Sequence, residues 1–375
     1  MSETYTLKEH LGPAAITQIG HALRRAEPSF ASEAFARDAC TGLDALELKA
    51  RVAHVVEALE AHLPRELDAA LSAVVRSARD AELRASLDEK SALFVAWPLI
   101  DWVPRRALAA PEPALHALAQ ITSAFSAEFA IRPFILAHRE LTLETLARWT
   151  NHSDEHVRRL VSEGTRPRLP WAPALPDFKR DPSPTLPLLE ALRDDESEYV
   201  RRSVANHLND IGKDHPERLL DIAERWMHDA PAPRQRLLKH ALRTLVKAGA
   251  PRAMALLGFT SSPRVEGRLT LSSGALALGD TLAIEIEIKS LADRAQCFVV
   301  DYAVHFCKAG GARSRKVFKL RDLELAPGET FQSRKQIKLV HRSTRRLHAG
   351  EHAVELLVGG RSATTLSFQL TTSPS

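Results

Sequence analysis

Apolar residues at Val200, Val204, Leu208 and Ile211 fall at i, i+4, i+8 and i+11, which is the stripe of an amphipathic helix packed on one side. Arg201, Arg202, Asn206, Asn209 and Asp210 occupy the other side, and Gly212 followed by Pro216 marks where this helix is expected to stop. Its opening occurs twice in the chain. Glu155-His-Val-Arg-Arg-Leu-Val aligns with Glu198-Tyr-Val-Arg-Arg-Ser-Val, an offset of 43 residues. A helix pair recurring at roughly 40 to 47 residues has the period of HEAT and armadillo solenoids, whose stacked repeats present a concave binding face.

Helical spacing runs through most of the first two thirds of the chain. Ile16, Ile19 and Leu23 form one stripe, and Leu43 through Leu63 form another that ends at Pro64. The aromatic run at 93–108 carries Trp97 and Trp102, which read first as core residues and otherwise as the lining of a groove. Near residue 262 the period shortens to two, as in Leu282-Ala-Ile-Glu-Ile-Glu-Ile-Lys and Phe298-Val-Val-Asp-Tyr-Ala-Val-His-Phe. Ser273-Gly274, Gly279-Asp280, Gly310-Gly311, Pro327-Gly328 and Gly359-Gly360 break this region into about seven strand-like runs. The expected architecture is multidomain: an all-α HEAT-like repeat solenoid over 1–261, followed by an all-β immunoglobulin-like sandwich over 262–375.

Length and charge sharpen this picture. A chain of 375 residues has room for two cores. Three cysteines, Cys40, Cys297 and Cys307, make a disulfide framework improbable and fit a reducing compartment. With no signal-like segment and no run of about 18 apolar residues, the expectation is a soluble cytoplasmic protein with no membrane partner. The net charge of +4 is unevenly spread, with 17 Lys and Arg against 11 Asp and Glu from residue 262 onward, and 34 against 36 before it. Arg315, Lys316, Lys319, Lys335 and Lys338 belong to a basic concentration that favours a polyanion or, equally, protects a sheet edge by charge.

Three places carry candidate chemistry. Glu128 lies between Ala127 and Phe129, where a carboxylate is costly unless it is paired or faces a cleft. His152, Glu155 and His156 match an inverted zinc-protease pattern formally, but Ser153 and Asp154 read as helix-capping residues, which leaves His152 outside the helix. Gly164, Pro167 and Pro170 interrupt a repeat helix and introduce Glu163, Arg166, Arg168 and Trp171 on a loop, where a binding face places reactive groups.

Glu128-Phe-Ala-Ile-Arg-Pro-Phe, the run from Val157 to Trp171, and Ser203-Val-Ala-Asn-His-Leu-Asn-Asp-Ile-Gly-Lys-Asp-His-Pro together resemble the AlkC family of DNA alkylation-repair glycosylases. This family belongs with the AlkD-like proteins to a HEAT-like-repeat superfamily, and some members add a C-terminal immunoglobulin-like domain. The resemblance implies hydrolysis of the N-glycosidic bond of cationic N3-alkylated bases, without metal or cofactor and without flipping the base into a closed pocket. It places the active site at Asp210, Glu163, Glu128 and Trp171, and backbone contacts at Arg159 and its repeat equivalent Arg202, with Arg166 and Arg168 as further candidates. Asn206 departs from the AlkD branch, which carries an aromatic residue there. The implied partner is double-stranded DNA containing alkylated bases, engaged by a monomer. A non-catalytic scaffold and a damage sensor are the competing readings.

Overall fold

The computed structural model describes residues 7–85, 87–342 and 345–371. It divides into two compact units, 1–214 and 215–375. Helices build the first, and among its described residues the longest is Glu198–Asp214, which runs through Gly212 instead of stopping there. The repeat is registered to the residue. Helices Glu155–Gly164 and Glu198–Asp214 begin 43 positions apart, and they pack on each other. One side-chain device recurs in both copies: Arg158 donates through Nη1 to the carbonyls of His152 and Ser153, and Arg201 donates through Nη1 to those of Asp195 and Glu196. Asp154 caps the first helix by accepting from the His156 amide, so His152 precedes the helix.

Among its described residues, the second unit joins helices Pro216–Met227, Ala232–Ala241, Arg243–Lys247 and Pro251–Leu256 to eight strands. The strands are β1 Val265–Leu271, β2 Ala275–Ala277, β3 Thr281–Ser290, β4 Gln296–Cys307, β5 Arg313–Leu325, β6 Thr330–Lys338, β7 Gly350–Val358 and β8 Arg361–Thr371. They form a three-stranded sheet, β1-β3-β6, and a five-stranded sheet, β2-β8-β7-β4-β5. Strand β3 alternates as expected, with Ile284, Ile286 and Ile288 in the core and Glu285 and Glu287 outward. Strand β4 does not, since Phe298, Val299, Val300, Asp301, Ala303 and Val304 are all buried.

A helical residue and the segment after the last helix reach the sheet that contains β4. Lys239 pairs with Asp322 of β5 at 2.7 Å, and the Thr260 amide donates to the Cys297 carbonyl of β4. A strand covered on both faces loses its alternation. The chain therefore changes from helix to strand between Leu256 and Val265, near the expected position, while the compact units part at 214/215 and not at 261/262. No helix among the described residues is long and apolar enough to cross a membrane.

Candidate active site

Helix Glu198–Asp214 is buried on two sides, contrary to the one-sided packing expected from its sequence. Ser203, His207 and Asp210, at i, i+4 and i+7, form a buried polar stripe beside the apolar one. Their partners lie on helix Glu155–Gly164 and just beyond it. Ser203 Oγ donates to Glu163 Oε2 at 2.5 Å, His207 Nδ1 lies 2.9 Å from the Ser162 carbonyl, and Arg166 Nε donates to Asp210 Oδ2 at 2.8 Å. Gly164 permits the close helix end, because a Cβ there would lie 2.5 Å from Ile131 Cγ2.

Six side chains of alternating sign form one row. Glu128 Oε2 accepts from Arg159 at 2.8 Å; Arg159 lies 3.7 Å from Glu163; Glu163 Oε1 accepts from Arg166 at 2.6 Å; Arg166 holds Asp210; and Lys213 donates to Asp210 Oδ1 at 2.8 Å. The structure thus brings Glu128, Glu163 and Asp210 together, as expected from the resemblance. It also brings cations among them. Burial works against the Arg159 and Arg166 charges, but the neighbouring carboxylates outweigh it and hold both guanidinium groups above their ordinary range. The Asp210 side chain is only 1% exposed, whereas Lys213, which covers one of its oxygens, is 40% exposed.

Trp171 is not a buried anchor. It is 56% exposed and sits in the left-handed region with φ 67°, a strained conformation for a bulky residue. The loop around it is held by Arg132, a residue the sequence reading passed over. Buried Arg132 donates to the Gly164 carbonyl at 3.0 Å, the Arg166 carbonyl at 2.9 Å and the Pro173 carbonyl at 2.5 Å, and so ties both ends of the loop. Burial and the nearby Arg166 charge lower its pKa to about 10. Lys49 Nζ donates to the Trp171 carbonyl. Tyr199, a second exposed aromatic, lies under the Arg159 guanidinium at 4.7 Å.

The residues expected to grip phosphate are largely committed elsewhere. Arg159 and Arg166 belong to the ionic row, and Arg166 is buried. Arg168 forms a two-pronged pair with Asp214, and exposed Arg202 pairs with Glu198 at 3.1 Å. In the second unit, Arg315 pairs with Glu355, Lys319 with Asp322, and Lys316 rests on the Phe318 ring. Lys335 and Lys338 have no carboxylate within 4.0 Å among the described residues, and their spacing of three puts them on opposite faces of β6. These basic residues divide between β5 and β6, which are edge strands of different sheets.

His207 sets one pH response. Burial lowers its pKa to about 4 from an ordinary 6.5, so between these values the unfolded chain binds a proton that the folded chain does not. Stability from this group is full above pH 6.5 and falls as pH drops toward 4, by about 3 kcal/mol. Asp101, raised by burial to about 6, contributes the opposite slope between about pH 4 and 6. Urea midpoints across pH 4 to 7 are therefore expected to fall less steeply with acidification in His207→Asn than in wild type.

A family profile described as DNA alkylation repair enzyme matches residues 117–245, and one described as the C-terminal Ig-like domain of uncharacterised protein YhaZ matches 266–372. The class is therefore a DNA alkylation-repair helical domain followed by an Ig-like domain. The uncharacterized protein YhaZ of Bacillus subtilis strain 168 is 36% identical, over 97% of this chain and 99% of its own. The Pseudomonas fluorescens alkylpurine DNA glycosylase AlkC, solved bound to DNA containing an abasic site analog, matches with a TM-score of 0.91 at 34% identity, covering 98% of this chain and 100% of that one. The chain belongs to the AlkC family of DNA alkylation-repair glycosylases that carry a C-terminal immunoglobulin-like domain.

Proposed function

We propose that this protein is a monofunctional DNA glycosylase that hydrolyses the N-glycosidic bond of cationic N3-alkylated bases, 3-methyladenine and 3-methylcytosine, in base excision repair. The observation that carries this reading is the convergence of Glu128, Glu163 and Asp210 in one row, with exposed Trp171 on the loop that follows Arg166. The likeness to a solved alkylpurine DNA glycosylase supports it.

An N3-methylated base leaves with the bonding electron pair as a neutral molecule, so the reaction needs neither a general acid nor a metal. The barrier lies at the deoxyribose, which gains oxocarbenium character as the bond breaks. Carboxylates lower that barrier by Coulomb attraction and by orienting the water that attacks C1′. Asp210 takes the central role, with Glu163 and Glu128 adding negative potential. Arg166 holds Glu163 and Asp210 in fixed orientation. DNA phosphates compete for Lys213 and Arg159, which frees Asp210 Oδ1 and Glu128 toward the sugar. Tyr199, under Arg159, and Trp171, on the loop that follows Arg166, are both exposed, which favours attack on a base that is not drawn into a closed pocket. Lys335 and Lys338, with Arg315, Lys316 and Lys319, supply backbone attraction from the sandwich.

The test is release of free base from methylated DNA, resolving 3-methyladenine, 3-methylcytosine and 7-methylguanine. Wild type is expected to release the N3-methylated bases, and folded Asp210→Asn to do so on the order of 100-fold more slowly. No release by folded wild type would leave a damage sensor or scaffold. Equal release by both proteins would move the central role to Glu163 or Glu128.

A further inference from the structure

Helices Leu48–His62 and Trp97–Ala107, the segment 129–136 and the loop at 171–175 enclose a cleft of about 450 Å³, within the size range of small-molecule sites. Trp171 and Leu136, which is 64% exposed, both line it, so two of the most exposed large apolar side chains in the helical unit meet at one opening. Inside, Phe129 and Trp171 offer aromatic surface, while Trp97, 2% exposed and stacked on Phe125, reaches the lining with little of its ring free.

The cations around the cleft are already engaged. Lys49 donates to the Trp171 carbonyl, Arg105 pairs with Glu60 at 2.9 Å, and Arg132 spans three carbonyls. An anionic ligand would have to compete with these partners, and the buried Nε of Arg132 is the donor left without one among the described residues. Glu57 and Asp101 are the lining carboxylates without an ion pair within 4.0 Å among the described residues, and Asp101 is the more buried of the two, with the Lys49 charge acting on it. One of its oxygens accepts from Trp97 Nε1 at 2.8 Å, and among the described residues no protein donor reaches the other. Its carboxyl titrates near 6, so above neutral pH it is an ionised acceptor in a largely apolar cleft.

We propose that this cleft binds a free aminated nucleobase, stacked on the aromatic lining and donating its exocyclic amino group to the open oxygen of Asp101. It thereby receives the base released by the reaction proposed above; this assignment of the occupant rests on that reading. Trp171 lines the cleft from the loop that follows Arg166 of the ionic row, so a base leaving the sugar beside Trp171, as proposed above, has the cleft as its next resting point. Aromatic stacking favours any planar base, and the carboxylate selects those with an amino donor.

The experiment is a titration of the full-length protein with free 3-methyladenine, without DNA, at about pH 7.5, where the Asp101 acceptor is ionised. Tryptophan fluorescence reads occupancy, because Trp97 and Trp171 line the site. Saturable quenching is expected, with 1,3-dimethyluracil, which has no N–H donor, binding more weakly. Asp101→Asn keeps an acceptor for Trp97 and is expected to weaken 3-methyladenine about fivefold. Ala53→Phe, at an exposed lining position, fills the cleft without disturbing the core and is expected to weaken it at least about tenfold. No saturable response from folded wild type, or unchanged affinity in Ala53→Phe, would overturn the site. Since no DNA is present, binding without excision would sink only the enzymatic reading, and excision without binding only the cleft.

Discussion

Replacing Arg166 by Met is expected to cost about 3–5 kcal/mol of stability, because it removes the shared partner of two buried carboxylates. Arg166 lies between Glu163 at 2.6 Å and Asp210 at 2.8 Å, and both acids are almost fully withdrawn from water. Without the guanidinium, two negative charges face each other in a poorly solvated space. Arg166→Lys should fall between, because an ammonium restores charge but cannot serve both acids with a planar fork. Adding Asp210→Asn to Arg166→Met should recover part of the loss, a coupling that a double-mutant cycle of urea midpoints measures. Purely additive losses would show that Arg166 matters through packing alone.

The second large effect belongs to the other unit. Gly360 sits at φ 73°, and a Cβ there would lie 2.4 Å from the Cα and 2.5 Å from the backbone nitrogen of Gly249. Backbone atoms cannot rotate away as a side-chain tip can, so Gly360→Ala must part the β7–β8 turn from the helical segment that holds Gly249. A loss of about 3 kcal/mol or more is expected, against about 1–2 kcal/mol for Gly258→Ala, where φ is 75° but nothing lies within 4 Å. Thermal melts of the two variants separate steric conflict from backbone strain. Equal shifts would mean that the turn moves freely.

Much of the architecture was legible because period is a local property. The change from helical to strand spacing and the 43-residue repeat both emerge from short windows, and both helices of the pair begin where the repeat placed them. Burial on a second face was not legible. Ser203, His207 and Asp210 resemble a solvent-facing set until Ser162, Glu163 and Arg166 are placed opposite them. The same ambiguity affected the arginines, since a guanidinium fork recognises carboxylate and phosphate by one geometry; only proximity shows that Arg159 and Arg166 serve acids. Arg132 gave a faint signal, a cation in an apolar run just before Pro133, but its partners are carbonyls 32 to 41 residues away. The break at 261/262 marked a change of element, whereas compactness follows the surfaces that cover β4.

The alternating row also governs what a large polyanion senses from a distance. Three bare carboxylates would project a repulsive field well beyond the surface. Interleaved with Arg159, Arg166 and Lys213 at separations of 2.6 to 3.7 Å, they act as a string of dipoles whose fields cancel within a few ångströms. The acids are thus electrostatically silent during approach and exert their charge only on a group that has reached contact.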